Sequence, residues 1–246
     1  MSDSVKALTS SLLLCFVNSC SLDNTDIDQT LTITSEYVVE MDSKYTISKY
    51  TFTDSDESFY GDNDCITEYT YYKDSIILIS DGRSVTQRGD YTKVKYYLNS
   101  KGLADSSLTE VDPGNLPKSS IRHYFVYNDS EYLTTDSTST SVITYHYSDG
   151  NIMKSVIKFL NSTSTTTVYT YNNQENRFSF NGSFLGKTNK NLILSVIISY
   201  YNGEIQNLTF GYELYPEGLV KEATRTTFSG SSKIIDIIKY DYLISN

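Results

Sequence analysis

Residues able to do covalent or metal chemistry are few in this chain, and their spacing argues against such chemistry. The two histidines, His123 and His146, both stand beside tyrosines in stretches of alternating character. A zinc site needs three or four N, S or O ligands within tetrahedral reach, and no CxxC, HxH or HExxH spacing occurs. Both histidines are therefore expected to be strand residues paired across a sheet. Cys65 follows Asp62-Asn63-Asp64. Negative neighbours raise a thiol pKa, whereas a nucleophilic cysteine needs a positive surrounding. Cys65 reads as a small, half-buried residue. Asp54, Asp56, Glu57, Asp62 and Asp64 gather five carboxylates around Gly61. Calcium takes six to eight oxygen ligands, but the EF-hand spacing is absent, so a solvated acidic loop is expected. A carboxylate pair for glycoside hydrolysis needs only spatial proximity, and nothing in the sequence selects one. Glycine-rich phosphate loops and GxSxG are missing. The expectation is a protein without catalytic residues, metal or cofactor, a carboxylate-dependent hydrolase being the least favoured reading.

Binding chemistry is better represented. The chain has 23 tyrosines and no tryptophan. Several tyrosines are two apart, as in Tyr145/Tyr147, Tyr169/Tyr171 and Tyr240/Tyr242. In a strand, residues two apart share a face. Each pair then forms a flat aromatic strip with hydroxyls at its edge, which suits a sugar ring. The alternative is cross-strand packing worth roughly 0.2–1 kcal/mol per pair. Tyr145, Tyr147, Tyr169 and Tyr171 are the candidate ligand contacts. The formal charge of −10 and the lack of any basic run exclude a phosphate-backbone partner, which needs clustered Lys and Arg.

These residues must be positioned by strands. Residues 141–160 read as a hairpin turning on Asp149-Gly150, since a type I′ turn needs φ > 0 at both central positions. Pairing outward from the turn sets Tyr147 opposite Ile152, Tyr145 opposite Lys154 and Ile143 opposite Val156 on the presumed core face. Strand-like alternation recurs from Leu31 to Ile244, giving thirteen candidate strands, with none between Leu98 and Ile121 or between Tyr127 and Val142. Many end in a tyrosine followed by a turn, as at Tyr127-Asn128, Tyr201-Asn202-Gly203 and Tyr215-Pro216. No window holds a 3.6-residue apolar period. The predicted fold is all-β: an antiparallel meander of hairpins whose strongly twisted sheet curls into a half-open or closed barrel, because so many strands must not leave long edges.

The chain divides into a signal peptide at 1–19, an acidic tether at 20–30 and a β-meander domain at 31–246, with a possible internal break at 111–118 around Pro113 and Pro117. Lys6, the apolar run Ala7–Val17 and Ser19-Cys20 resemble a bacterial lipobox, in which the cysteine after a small residue becomes lipidated. The run is too short to span a bilayer, which takes about 20 residues. Cys20 is the expected lipid anchor.

The Tyr145–Ile152 turn, the segment from Tyr171 to Phe178 and the last strand with Tyr240 and Tyr242 resemble a Bacteroidota lipoprotein family of unknown function with a porin-like fold. The resemblance spans roughly residues 120–244, and Arg177 departs from the family's Asn-Pro-Phe-like turn. It implies an architecture and a compartment, and no chemistry. The expected protein is a non-enzymatic outer-membrane lipoprotein, periplasmic or surface-exposed, that meets the membrane through its anchor and binds a glycan or an amphiphile. The alternative is an assembly partner of other envelope proteins.

Overall fold

A computed structural model describes residues 30–42, 46–54, 64–81, 91–112, 117–160, 163–177, 183–229 and 232–245. The strands are β1 (Thr30–Asp42), β2 (Ile47–Asp54), β3 (Asp64–Tyr71), β4 (Ser75–Asp81), β5 (Tyr91–Leu98), β6 (Ala104–Asp112), β7 (Ser119–Tyr127) and β8 (Leu133–Ser137). They continue with β9 (Ser141–Ser148), β10 (Asn151–Phe159), β11 (Ser164–Glu175), β12 (Asn191–Ser199), β13 (Ile205–Leu214), β14 (Val220–Ser229) and β15 (Ser232–Ser245). Each pairs antiparallel with its neighbour in sequence, and β1 pairs with β15 to close a barrel. Fifteen strands that alternate up and down leave the first and last running the same way, so the closing pair must be parallel. Its register runs unbroken from Thr30↔Lys233 to Asp42↔Ser245. Closure leaves no free edge.

We call the end where β1 finishes the upper rim. Strands β6 and β8 are additional to those expected. Their sequences, ADSSLTEVD and LTTDS, hold few large apolar residues, and the first also carries Ala, Glu and two Asp of low strand propensity. They are strands because the sheet on either side supplies ladder partners that would otherwise face nothing. The segments flanking the two prolines pair directly, from Ser106↔Tyr124 to Val111↔Ser119.

The central hairpin turns on Asp149 (φ 51°) and Gly150 (φ 84°), as its sequence requires, and pairs Tyr147 with Ile152. Beyond that pair the expected register fails. A bulge at Met153 shifts it by one, so that Lys154 faces His146, Ser155 faces Tyr145 and Ile157 faces Ile143. Without the bulge Lys154 would point into the barrel beside Tyr145; with it the ammonium faces water and Ile157, 8% exposed, is buried.

Alternate residues point inward and form two packed groups. One draws on β4 to β10 and includes Tyr96, Phe125, Leu133 and Tyr145. The other, around the seam, includes Tyr37, Val39, Met41, Ile238 and Tyr240. Tyr69 packs against both. The connection from β11 to β12 folds over the upper rim. Its short 3-10 turn, Ser183–Leu185, buries Phe184 and Leu185, and the Phe184 ring lies 4.8 Å from that of Tyr96. Backbone bonds from Lys187 N to Glu131 O (3.0 Å) and from Lys190 N to Gly150 O (3.0 Å) strap it down.

Candidate functional site

In a closed barrel, an inward side chain has accessible surface only where there is room beside it inside the wall. Phe52, Cys65, Ser80, Thr109, His123 and Phe210 all point inward by register, and all are half-buried rather than buried. They leave accessible surface on the inner wall that is part aromatic, part hydroxyl. This interior is the candidate site.

Two polar pairs interrupt it. His123 Nδ1 lies 2.8 Å from Asp136 Oδ1, with the carboxylate 1% exposed. Ser107 stands opposite His123 on β6 and is buried. The three residue types are those of a hydrolytic triad, but the described imidazole contacts are a hydrogen bond with the Asp136 carboxylate and a stacked ring contact with Phe125 at 6.1 Å, and none is with Ser107. On the far wall Arg225 Nε donates to Asp236 Oδ2 at 2.8 Å, the two side chains being 13% and 11% exposed. Sequence reading missed both pairs, since their members are 13 and 11 residues apart. The signal for the second was present: pairing outward from the turn after Ser229 brings Arg225 opposite Asp236.

The four candidate tyrosines converge on one part of this interior. Tyr145 is 8% exposed and belongs to the core. The Tyr169 hydroxyl lies 3.2 Å from Ser155 Oγ, and the Tyr147 ring packs on Tyr132 at 4.7 Å. Tyr171 donates to Ile152 O at 2.7 Å. That last bond belongs to a recurring device. Tyr71 on β3 donates to Ile47 O (2.8 Å), Tyr127 on β7 to Ala104 O (2.9 Å) and Tyr242 on β15 to Val220 O (2.9 Å). Every fourth strand thus carries, at or near its upper end, a tyrosine that satisfies a carbonyl at the start of the preceding strand. Of the tyrosine-then-turn sites, Tyr127 belongs to this set, whereas Tyr201 is exposed and Tyr215 donates to Tyr240 O. Burial of these phenols raises their pKa; that of Tyr71 is pushed up to about 12, by burial first and then by Asp42.

Cys65 is half-buried and its sulfur lies 3.2 Å from Ser80 Oγ. His146 faces outward, opposite Lys154. Cys20 and residues 55–63 of the acidic loop lie outside the described residues. Among the described residues, no group of three or more His, Cys, Asp or Glu side chains could hold a metal ion.

The outer surface differs in kind. Glu36, Glu68, Lys95, Arg122, Lys154 and Lys239 project outward from the middle of six different strands. A barrel that crosses a membrane has an apolar outer band about 25 Å tall and a polar interior. Here the middle of the outer face carries charged side chains, together with exposed apolar ones such as Val38, Tyr124, Val126 and Leu194, while the buried aromatic rings lie inside. No helix of the described residues is long and apolar enough to cross a membrane.

These features define the class: a closed, up-and-down β-barrel of fifteen strands with an aromatic interior and charged side chains at the middle of its outer face. The fold is shared with solved structures. A porin-like protein from Bacteroides uniformis ATCC 8492 superposes with a TM-score of 0.53 at 18% identity, over 80% of this chain and 84% of that one. A porin-like protein from Bacteroides vulgatus ATCC 8482 gives a TM-score of 0.46 at 15% identity, over 76% of this chain and 86% of that one. No protein-family model and no curated protein matches the chain.

Proposed function

We propose that this is a non-enzymatic lipoprotein of the bacterial cell envelope, held at the membrane by Cys20, whose barrel stands in water and binds an amphiphile in its interior. The apolar run Ala7–Val17 ahead of Cys20 supports the anchor. Charged residues at the middle of the outward strand faces support a barrel beside the membrane rather than through it. The observation that carries the ligand reading is the accessible surface that inward Phe52, Phe210 and Thr109 keep on the inner wall. Aromatic walls with a few polar groups are the usual lining of a small-molecule site. A glycan fits less well. Its flat platform would be the Tyr145/Tyr147 and Tyr169/Tyr171 strips, and these face inward with their rings packed or hydroxyls engaged.

The test is a titration of the soluble barrel with N-phenyl-1-naphthylamine, followed by competition with lysophospholipid and with soluble oligosaccharides. Saturable probe fluorescence displaced by the lipid and not by sugar is the expected result. A probe that shows no saturable emission would refute interior binding, and displacement by an oligosaccharide alone would restore the glycan.

A further inference from the structure

We infer that the lower rim from β10 to β14 is a membrane-contact surface: its exposed apolar side chains, Leu160, Tyr201, Ile205 and Phe228, enter the interface of the same bilayer that holds the lipid on Cys20. The inference rests on the lipoprotein reading above and names the face of the barrel that the anchor brings to the lipid.

Among the described residues, the three most exposed large apolar side chains are Leu160 (79%), Ile205 (62%) and Tyr201 (59%). All three lie at the lower rim: Leu160 follows β10, Tyr201 stands in the turn after β12, and Ile205 opens β13. Single exposed apolar residues are ordinary on a protein surface, but here the extremes gather on one arc of one rim. The patch continues up the outer wall. Val168, Ile197, Asn207 and Phe228 form one cross-strand rung on β11 to β14, and the three apolar members of it are exposed. The same rung runs on to Lys233 and from Lys233 to Thr30, the first residue of β1. Neighbouring strands lie about 4.8 Å apart, so the chain arriving from Cys20 joins the barrel roughly 10 Å from the strand of Phe228. Thr30 is ten residues beyond Cys20, a span of at most about 36 Å. A lipid on Cys20 therefore holds this edge of the barrel within reach of the bilayer, and a tether that short makes weak contacts count by raising the effective concentration of lipid at the rim. The chemistry fits an interface. A tyrosine puts its ring in the apolar layer and its hydroxyl in water, and Lys158 at the end of β10 can lay its stem along the patch with its ammonium among head groups. The Glu204 carboxylate, exposed and bonded by Asn202 Nδ2 at 2.8 Å, sets the depth: the rim enters the head-group region, where water still reaches that charge.

The test uses the full-length, lipidated protein in a C65S background, labelled with the polarity-sensitive dye NBD at I205C or at Y72C. Tyr72, also exposed, stands in the upper-rim turn after β3 and is the control. The labelled protein is inserted into preformed phosphatidylcholine vesicles, with and without phosphatidylcholine carrying a nitroxide in the upper part of its acyl chain. Quenching by the nitroxide should be about twofold or more stronger at position 205 than at position 72. L160S/Y201S/F228S, which alters exposed side chains only, should leave the circular dichroism unchanged and cut the quenching at 205 about twofold or more. If 205 and 72 are quenched alike, if neither is quenched, or if the triple variant leaves the quenching at 205 unchanged, while mass spectrometry finds lipid on Cys20, the patch is not the contact although the anchor stands. A label at 205 that neither the nitroxide lipid nor aqueous iodide reaches marks a protein on the patch, a partner or a second copy, and overturns the lipid assignment. If Cys20 carries no lipid, the lipoprotein reading falls and the membrane contact falls with it.

Discussion

Adding a single carbon at Gly150 and at Gly203 separates two effects that are usually mixed. Both glycines sit in hairpin turns at positive φ, +84° and +87°. A Cβ in the left-handed region costs about 1–2 kcal/mol in backbone strain. At Gly203 a Cβ meets nothing within 4 Å, so Gly203→Ala should cost that strain and no more. At Gly150 the same atom comes 3.3 Å from Lys190 Cβ and 3.3 Å from the Tyr132 hydroxyl. These belong to the strap over the rim and to the neighbouring turn, both held by backbone bonds. Crowding there adds about 1 kcal/mol at the lower end of what overpacking costs, for a total near 2–3 kcal/mol. A domain of this size loses about 2–4 °C of melting temperature per kcal/mol. We therefore expect a fall of about 2–8 °C for Gly203→Ala and about 4–12 °C for Gly150→Ala, measured by circular dichroism, with urea midpoints in the same order. Gly150→Asn, which tolerates positive φ, should be milder than Gly150→Val. Equal losses at the two sites would refute the strap's contact with the turn. No loss at either would refute the turn geometry itself.

Three further outcomes follow from the same geometry. Tyr171→Phe removes the donor to Ile152 O and should lower urea stability by about 1–3 kcal/mol, the range for leaving a part-buried carbonyl unpaired. Tyr71 is raised from 10 to about 12 in the folded chain, so the fold favours the protonated phenol. That stability is complete below pH 10 and is lost as pH rises towards 12; a late, cooperative part of the rise in tyrosinate absorbance near 295 nm, read without tryptophan overlap, should accompany loss of strand signal in that interval. Cys20→Ala should move the protein out of the membrane fraction, and retention there unchanged would refute the lipid anchor.

The fold class was legible because strand alternation and turn residues are local. Asp149-Gly150 announces its turn, and the observed φ values agree. The Met153 bulge was not legible from the turn outward, because only the wall as a whole decides that Lys154 must face water. Strands β6 and β8 were hidden for a related reason: short polar segments with Asp, Ser and few large apolar residues become strands when two neighbouring strands already need partners. That the barrel closes follows from pairing β1 with β15, a contact of over two hundred residues in sequence that no local pattern announces. At the site, the four tyrosines were visible as same-face pairs, and the more apolar face of the hairpin set Tyr145 and Tyr147 on the core side, where they lie; that Tyr169 and Tyr171 join them was not visible. Arg225 and Asp236 each look like an ordinary charge in an alternating strand; only their register turns them inward together.

The interior-binding account is tested most directly by quenching. Tyrosine is the only strong emitter in the chain, and rings such as Tyr69, Tyr169 and Tyr212 point inward from β3, β11 and β13. An acyl chain brominated at its middle and taken up by the barrel should quench their emission saturably, with the unbrominated chain competing it away. Bromine on a chain held at the outer surface is walled off from these rings by the sheet but can reach the exposed Tyr72, Tyr124 and Tyr201, so the titration uses the variant with these three changed to phenylalanine. Titration of the soluble barrel with brominated and plain stearate below the micelle threshold should therefore show saturable, competable loss of tyrosine emission. Calorimetric binding without such quenching would place the lipid outside the barrel and contradict the account.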